Sequence, residues 1–351
     1  MPSIELYANG RLIDGWSTLE YSSSIDALAD EVSVNGPASV FAGLHGGEQI
    51  ICRYEKELFF TGWADEVEIE LTDTDAKASI RARSRTCDLV DSSIGRMSQL
   101  SGGNLSSIAY FLTQFEGLRI GVRNNVPSLP IIPRATFQVG ETIHDAIERY
   151  ARPEGVLLRS DPDGQLVLEK VGQRRSGQAL QLGRNLKGLT LRTNLTGRFR
   201  NLQVVGQSTD TDDFALDTAV SAEGNAEDRG IRGSRQIVIQ APGNVTPYDC
   251  QRIAEWHAAV NAARSTSATC LVEGWTSSGL LWASNALVSV DAQDVGVEGE
   301  FLVAGLSLKV DGDSGESGRL ELVDPKAYVP EPVRGEVDDS IREQMKEGGW
   351  L

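Results

Sequence analysis

IICRYEKELFFTGWADEVEIELTDTDAKASIRARSRTCDLVD, residues 50–91, has a loose echo in LVSVDAQDVGVEGEFLVAGLSLKVDGDSGESGRLELVD, residues 287–324. Each copy reads as a strand, a charged turn, a second strand with a glycine near its end, an acidic linker and a third strand. In the first copy these are Ile50–Tyr54, Leu58–Trp63 with Gly62, the run Glu66–Asp75, and Ala78–Arg83. In the second they are Leu287–Val290, Glu300–Leu306 with Gly305, the run Lys309–Gly318, and Arg319–Val323. Both copies then reach a Leu-Val-Asp, at Leu89–Asp91 and Leu322–Asp324. A chain that carries one small β-module twice, with other material between, is built to present both copies side by side. Assembly, not chemistry, is the first expectation.

Around the first copy, residues 1–92 read as all-β. Ser3–Leu12 alternates about Asn9-Gly10, a strong hairpin signal. Glu66, Glu68 and Glu70 alternate with Val67, Ile69 and Leu71, which puts carboxylates on one face and aliphatics on the other, the pattern of a half-buried strand. A small antiparallel barrel or curled sheet is the simplest solution, because it leaves few open edges.

The texture changes near Gly102. Asn104 caps a predicted helix with the stripe Ile108, Phe111, Leu112 and Phe115, and a second helix from Thr142 carries Ile143, Ile147, Tyr150 and Ala151. Asp161-Pro162-Asp163-Gly164 then turns a hairpin. From Leu186 the β-texture returns. Ser208–Arg235 reads as an acidic loop or excursion. Thr246, Pro247 and Asp249 mark the start of the clearest helix, with a capping box. The stretch after Pro330 is acidic. Its Val337, Ile341 and Met345 stand at i, i+4 and i+8, and Trp350 follows, the look of a partner-docking tail.

Composition narrows the function classes. The 351 residues hold 50 acidic against 33 basic side chains, a formal charge of −17, which argues against a protein that grips phosphates. No apolar run approaches the ~20 residues of a membrane span, so stable membrane insertion is not expected. The N-terminus lacks the pattern of a secretory leader, so synthesis in a cytoplasm is expected. Cys52, Cys87, Cys250 and Cys270 form no CxxC pair and read as buried apolar fillers. His45, His144 and His257 have no second His or Cys at ligand spacing, so no metal or cofactor is expected. A phosphate-binding Gly loop and a G-x-S-x-G elbow are both absent. Asp311–Gly318 lacks the offsets of a calcium loop and reads as a polar hairpin turn. No catalytic site emerges.

Five segments in order then carry a resemblance: RARSRTCDLVDSS (81–93), ETIHDAIERYARPEGVLLRSDPDGQLVLEK (141–170), RFRNLQVVGQ (198–207), VEGWTSSGLLWASNALVSV (272–290) and LELVDPKAYVPEP (320–332). Together they resemble the baseplate hub proteins of contractile-tailed phages of the Mu type, related to the hub half of the type VI secretion spike. The resemblance implies an α+β, mostly β fold with two tube-like antiparallel β-barrels, an inserted α/β unit and a helix-bearing segment. The expected division is a first barrel over 1–96, the α/β insert over 97–180, and a second barrel over 181–207 with 265–330. An excursion at 208–264 and an acidic tail at 331–351 complete it.

The implied function is that of a homotrimeric adaptor in the virion tail baseplate, assembled in the bacterial cytoplasm. It would join a six-fold tail tube above to a separate three-fold spike below, touch other baseplate proteins, and let DNA through without binding it specifically. The α/β insert and the helix from Pro247 would face the spike. Glu66, Glu68 and Glu70 are candidates for the channel face, against an outward solvated face. Two alternatives from other classes are a tail-associated peptidoglycan hydrolase and a carbohydrate-binding module using Trp275, Trp282 or Trp350.

Overall fold

The computed structural model describes residues 4–115, 117–208, 220–292 and 297–332. The chain forms two compact units, Met1–Arg192 with Ser267–Pro325, and Thr193–Thr266 with Lys326–Leu351.

The first unit opens with β1 (Ile4–Ala8), β2 (Arg11–Ile13), β3 (Thr18–Ser24) and β4 (Glu31–Pro37). It continues with β5 (Gln49–Tyr54), β6 (Glu57–Leu71) and β7 (Ala76–Ser84). Asn9 and Gly10 both adopt positive φ, 47° and 79°, which gives the tight β1–β2 turn that their dipeptide foretells. Next come α1 (Cys87–Asp91), β8 (Ser98–Gly103), α2 (Leu105–Phe115), β9 (Val122–Asn124) and β10 (Ile132–Phe137). Then follow α3 (Ile143–Ala151), β11 (Leu157–Ser160) and β12 (Leu166–Glu169). This α/β part has its own core, in which Ile108 and Leu112 of α2 meet Ile143 and Ile147 of α3. Asn104 Oδ1 accepts from the Ser107 N–H at 3.0 Å, so the expected cap is made.

Short strands β13 (Arg174–Arg175) and β14 (Leu180–Gln181) lead to β15 (Leu186–Thr193). The chain then builds the second unit from β16 (Asn201–Ser208), β17 (Val220–Glu227), β18 (Gln236–Asn244) and α4 (Pro247–Arg264). It returns to the first through β19 (Thr266–Glu273), β20 (Thr276–Ser277), β21 (Leu280–Leu281), β22 (Ala286–Ala292), β23 (Val297–Asp311) and β24 (Gly315–Val323).

The large sheet of the first unit runs β15-β19-β24-β23-β3-β4-β7-β6-β5-β1-β2, with β22 also on β23 and β13 and β14 on β22. This overturns the two tube-like barrels expected from the sequence. The fold is α+β and mostly β, but among the described residues no sheet closes on itself: β15 and β2 end an open path. The reason lies in β3. One of its edges pairs with β4 of its own module, and the other, which would have to close a barrel, pairs antiparallel with β23, from Ser24 opposite Gly305 to Thr18 opposite Asp311. The two modules are thereby one sheet with one core, in which Trp275 stacks on Tyr54 at 5.5 Å and meets the edge of Phe59 at 5.4 Å.

The repeat is real and larger than its sequence echo. One half of the sheet reads β3-β4-β7-β6-β5-β1 and the other β15-β19-β24-β23-β22-β14, and the strands follow in the same chain order. The first strand differs in direction, antiparallel to β5 for β1 and parallel to β22 for β14. β6 and β23 are each 15 residues long and each carries a bulge at mid-length, at Ala64/Glu66 and Val303/Gly305. A bulge lets one long strand serve different partners along its two halves. Accordingly β6 passes from β5 to β7, and one edge of β23 passes from β22 to β3.

In the second unit β16 lies between an antiparallel β17 and a parallel β18, and α4 packs on this sheet through Cys250, Ile253 and Ala254. Strand β17 corrects the reading of Ser208–Arg235 as loop: Val220–Glu227 is a ladder strand. Its residues alternate small and polar, so it lacks the apolar signal that marks a strand in sequence. The capping box is formed as expected, with Asp249 N–H donating to Thr246 Oγ1 at 3.1 Å and Thr246 N–H to Asp249 Oδ2 at 3.0 Å.

Candidate functional site

For a chain expected to assemble, the site is an edge. Strand β5 covers β6 only from Glu57 to Trp63, and β7 covers the other side from Gly62 to Leu71. From Asp65 to Leu71, therefore, one edge of β6 has no partner strand among the described residues. The matching stretch of β23, Gly305–Asp311, is covered by β3. At the far end of the sheet, among the described residues, β19 is the one strand that pairs with β15, beside a single bridge from Leu182 to Leu186. Unpaired edges are templates for another strand.

Glu66, Glu68 and Glu70 stand together on one face of this free stretch, all exposed. Across the ladder they face Arg81, Ser79 and Lys77, and Arg81 Nη1 lies 3.5 Å from Glu66 Oε2. The face is thus striped with countercharge. The aliphatic face departs from the half-buried reading: Val67 is partly covered, but Ile69 is 54% and Leu71 72% exposed. The hairpin runs past the edge of the core, and among the described residues nothing buries its aliphatic face. The tail residues Val337, Ile341, Met345 and Trp350 lie outside the described residues.

The remaining sequence candidates are structural. The Trp275 indole N–H donates to the Lys309 carbonyl at 3.1 Å and the ring is fully buried. Trp282 is buried as well. All four cysteines are buried, and none is in a disulfide. The Asp311 carboxylate accepts from the Asp313 N–H at 2.9 Å, which makes the β23–β24 connection a polar turn. His144, Asp145 and Glu148 on α3 bring their ligand atoms within 4.8 Å of one another, a grouping that a search for paired His or Cys misses. Its members lie at or near the surface, and His144 Nδ1 is 3.5 Å from Asp145 Oδ1.

A buried polar joint, invisible in the sequence, ties the α/β part to both modules. Arg159 of β11 donates to Glu169 Oε1 of β12 at 2.7 Å and to the Ser284 carbonyl at 3.0 Å. Asn285 Nδ2 donates to the same Glu169 oxygen at 2.8 Å. Beside them Tyr21 O–H donates to Asp30 Oδ2 at 3.0 Å. Burial pushes the Asp30 carboxyl above its ordinary range, against hydrogen bonds from Ser23 and Tyr21 and the charge of Arg159. The arrangement satisfies charges in the interior and offers no nucleophile with a base.

Comparison with known proteins agrees with an assembly role. Residues 86–170 match the family described as "Baseplate hub protein gp44-like, second domain". Residues 246–331 match "Mu phage baseplate assembly protein GpP, fourth domain". The chain is 27% identical over 338 residues to the baseplate hub protein gp44 of Escherichia phage Mu, covering 93% of this chain and 89% of that one. Its fold superposes on the 43 kDa tail protein of prophage MuSo2 from Shewanella oneidensis with a TM-score of 0.80 and 26% identity, covering 93% and 99% of the two chains. A tail protein from Neisseria meningitidis MC58 shares the fold at a TM-score of 0.78 and 18% identity, covering 94% and 98%. With a duplicated sheet that ends in open edges and this likeness along nearly its whole length, the chain is a Mu-phage-like baseplate hub protein, homologous to gp44 of phage Mu and a structural component of the phage tail baseplate.

Proposed function

We propose that this hub acts as a homotrimer joining a six-fold tail tube above to a separate three-fold spike below, with other baseplate proteins around it and DNA passing through its centre. One observation carries the reading. The chain holds the same strand order twice, and the β3–β23 seam is the junction between the copies. The counterpart of β3 is β15, and the counterpart of the β23 stretch it covers is Asp65–Leu71 of β6. Pairing β15 of one chain with β6 of the next repeats the seam between chains. Such a contact is heterologous and generates a closed ring when the rotation allows it. Three chains then present six modules to a six-fold partner.

The side chains suit the pairing. Leu189 is partly covered and Leu191 is 46% exposed on one face of β15, ready to extend the row of Ile69 and Leu71. Arg192 on the other face would stand with Glu66, Glu68 and Glu70. The test is solution mass. Light scattering on the purified protein is expected to give a trimer, and Leu191→Lys or Ile69→Lys to shift it toward monomer. A stable wild-type monomer at micromolar concentration would sink the reading.

Glu66, Glu68 and Glu70 are proposed as part of the channel wall, where like charge keeps a passing duplex from sticking. Replacing all three by lysine is expected to slow DNA ejection from assembled virions. Unchanged ejection kinetics would count against a channel position.

A further inference from the structure

Where the α/β part meets the sheet, the first unit holds a partly open cavity of about 680 Å³. Small-ligand pockets fall in the range of roughly 300–1,000 Å³. Its wall is partly apolar, with Phe59, Val167, Leu281 and Leu308, and partly polar. Buried side-chain N and O atoms without a hydrogen-bond partner gather here: of six among the described residues, four line this cavity. They are Asp161 Oδ2, Ser176 Oγ, Ser277 Oγ and Trp282 Nε1. Asp161 has the charge of Arg123 at 3.1 Å. The other three are donors with nothing to donate to, and an unmade hydrogen bond in the interior is unfavourable. Ser277 and Trp282 are 6% and 5% exposed, so bulk solvent does not serve them.

Charge in the cavity points the same way. Arg159 is paired with Glu169, and Arg175 with Glu300. Arg174, on the rim, makes no ion pair among the described residues, and Arg159, Glu169 and Tyr21 are within its electrostatic reach. The acids that could neutralise it are engaged: Glu169 by Arg159 and Asn285, Asp161 by Arg123, Asp30 by Tyr21. Three neutral donors therefore lack acceptors beside an apolar wall, and at the rim stands an exposed guanidinium with no ion pair among the described residues. The same neighbouring acids make the cavity a poor host for a doubly charged group.

We propose that this cavity binds a carboxylate carried on a partly apolar ligand, with the anion held by Arg174, Trp282 Nε1 and the Ser277 hydroxyl and the apolar part against Phe59 and Leu281. The carboxylate has two possible sources, a free small acid or a Glu or Asp side chain of a partner protein's segment. The test uses the full chain labelled with 5-fluorotryptophan and followed by fluorine NMR, with the Trp282 signal assigned by Trp282→Phe. The probes are 4-phenylbutyrate, its neutral amide, and the blocked tripeptide acetyl-Leu-Glu-Leu-amide. A saturable shift of the Trp282 signal with a carboxylate probe is expected, with none from the amide and at least about ten-fold weaker binding in Arg174→Ala and in Ser277→Ala. A response to the tripeptide alone supports a partner's side chain, and a response to phenylbutyrate supports a free acid. No saturable shift with either carboxylate, or equal binding of the amide, or equal binding by both variants, would overturn the proposal.

Discussion

Gly62 of β6 lies so close to the backbone of Arg83 on β7 that a Cβ at position 62 would overlap the Arg83 carbonyl. The obstacle is main chain, which cannot step aside as a rotamer can. Gly305, the glycine set against it in the sequence echo though not in the strand register, is different: a Cβ there would stand 3.2 Å from Glu321 Oε2, the far end of a flexible side chain. Gly62→Ala is therefore expected to destabilise the first unit by on the order of 1–3 kcal/mol, as overpacking does. Gly305→Ala should cost less than about 1 kcal/mol. Urea unfolding of the two variants checks the contrast, and equal losses would refute it.

The Arg159–Glu169 pair is almost wholly buried, with side chains 9% and 6% exposed. Glu169→Ala leaves a guanidinium uncompensated in the interior and is expected to cost about 3–5 kcal/mol. The double variant Arg159→Met with Glu169→Leu should recover most of that loss, because Asn285 keeps its bond to the Lys170 carbonyl at 2.9 Å. Chemical denaturation of the single and double variants makes the comparison. A double variant as weak as the single one would show that the pair does more than neutralise itself.

Two aspartates should respond to pH with opposite sign. Burial raises the Asp30 carboxyl above its unfolded value of 3.8, so the folded chain binds that proton more tightly. Stability from this group falls as pH rises from 3.8 through the raised folded value. Asp30→Asn, which can still accept from Tyr21, is expected to be at least as stable as wild type at pH 7. Its advantage should vanish in acid below 3.8. The Arg198 guanidinium holds Asp228 below the same reference, through contacts of 2.7 and 2.8 Å. Its contribution is present above 3.8 and lost as pH falls through the depressed folded value. Asp228→Asn should weaken the second unit at pH 7 by roughly 1.5–3 kcal/mol, with a gap that closes in acid. Thermal melts across pH read both.

Thr246→Ala removes the acceptor for the Asp249 N–H at the start of α4. A loss of about 1 kcal/mol is expected. Hydrogen exchange should quicken first in the opening turn of α4, and uniform protection along the helix would contradict a capping role.

Local chemistry was readable in the sequence. Asn9-Gly10, the Asn104 cap and the Thr246–Asp249 box each act within a few residues and stand where expected. The repeat was readable too, because β6 and β23 are long strands with similar patterns. The seam was not. Ser24 meets Gly305 across 281 positions, and nothing near either residue announces the other. Closure into barrels was inferred from the advantage of hiding edges, whereas the protein hides the edge of β3 under the other module. The Glu66–Leu71 alternation gave two faces correctly but its half-buried reading failed at Ile69 and Leu71, because alternation carries no information on what lies over a face. The cavity donors were out of reach as well: Ser277 and Trp282 look like ordinary turn and core residues until Arg174 and the α/β part are placed beside them.

The β3–β23 seam also bears on how the molecule takes force. Seven residue pairs, Thr18–Ser24 against Gly305–Asp311, hold the modules together in one antiparallel ladder. A pull along the strands loads all of its hydrogen bonds at once, whereas a pull across them would open the ladder bond by bond, like a zip. A tail that delivers its thrust along the strand direction would therefore meet the seam at its strongest.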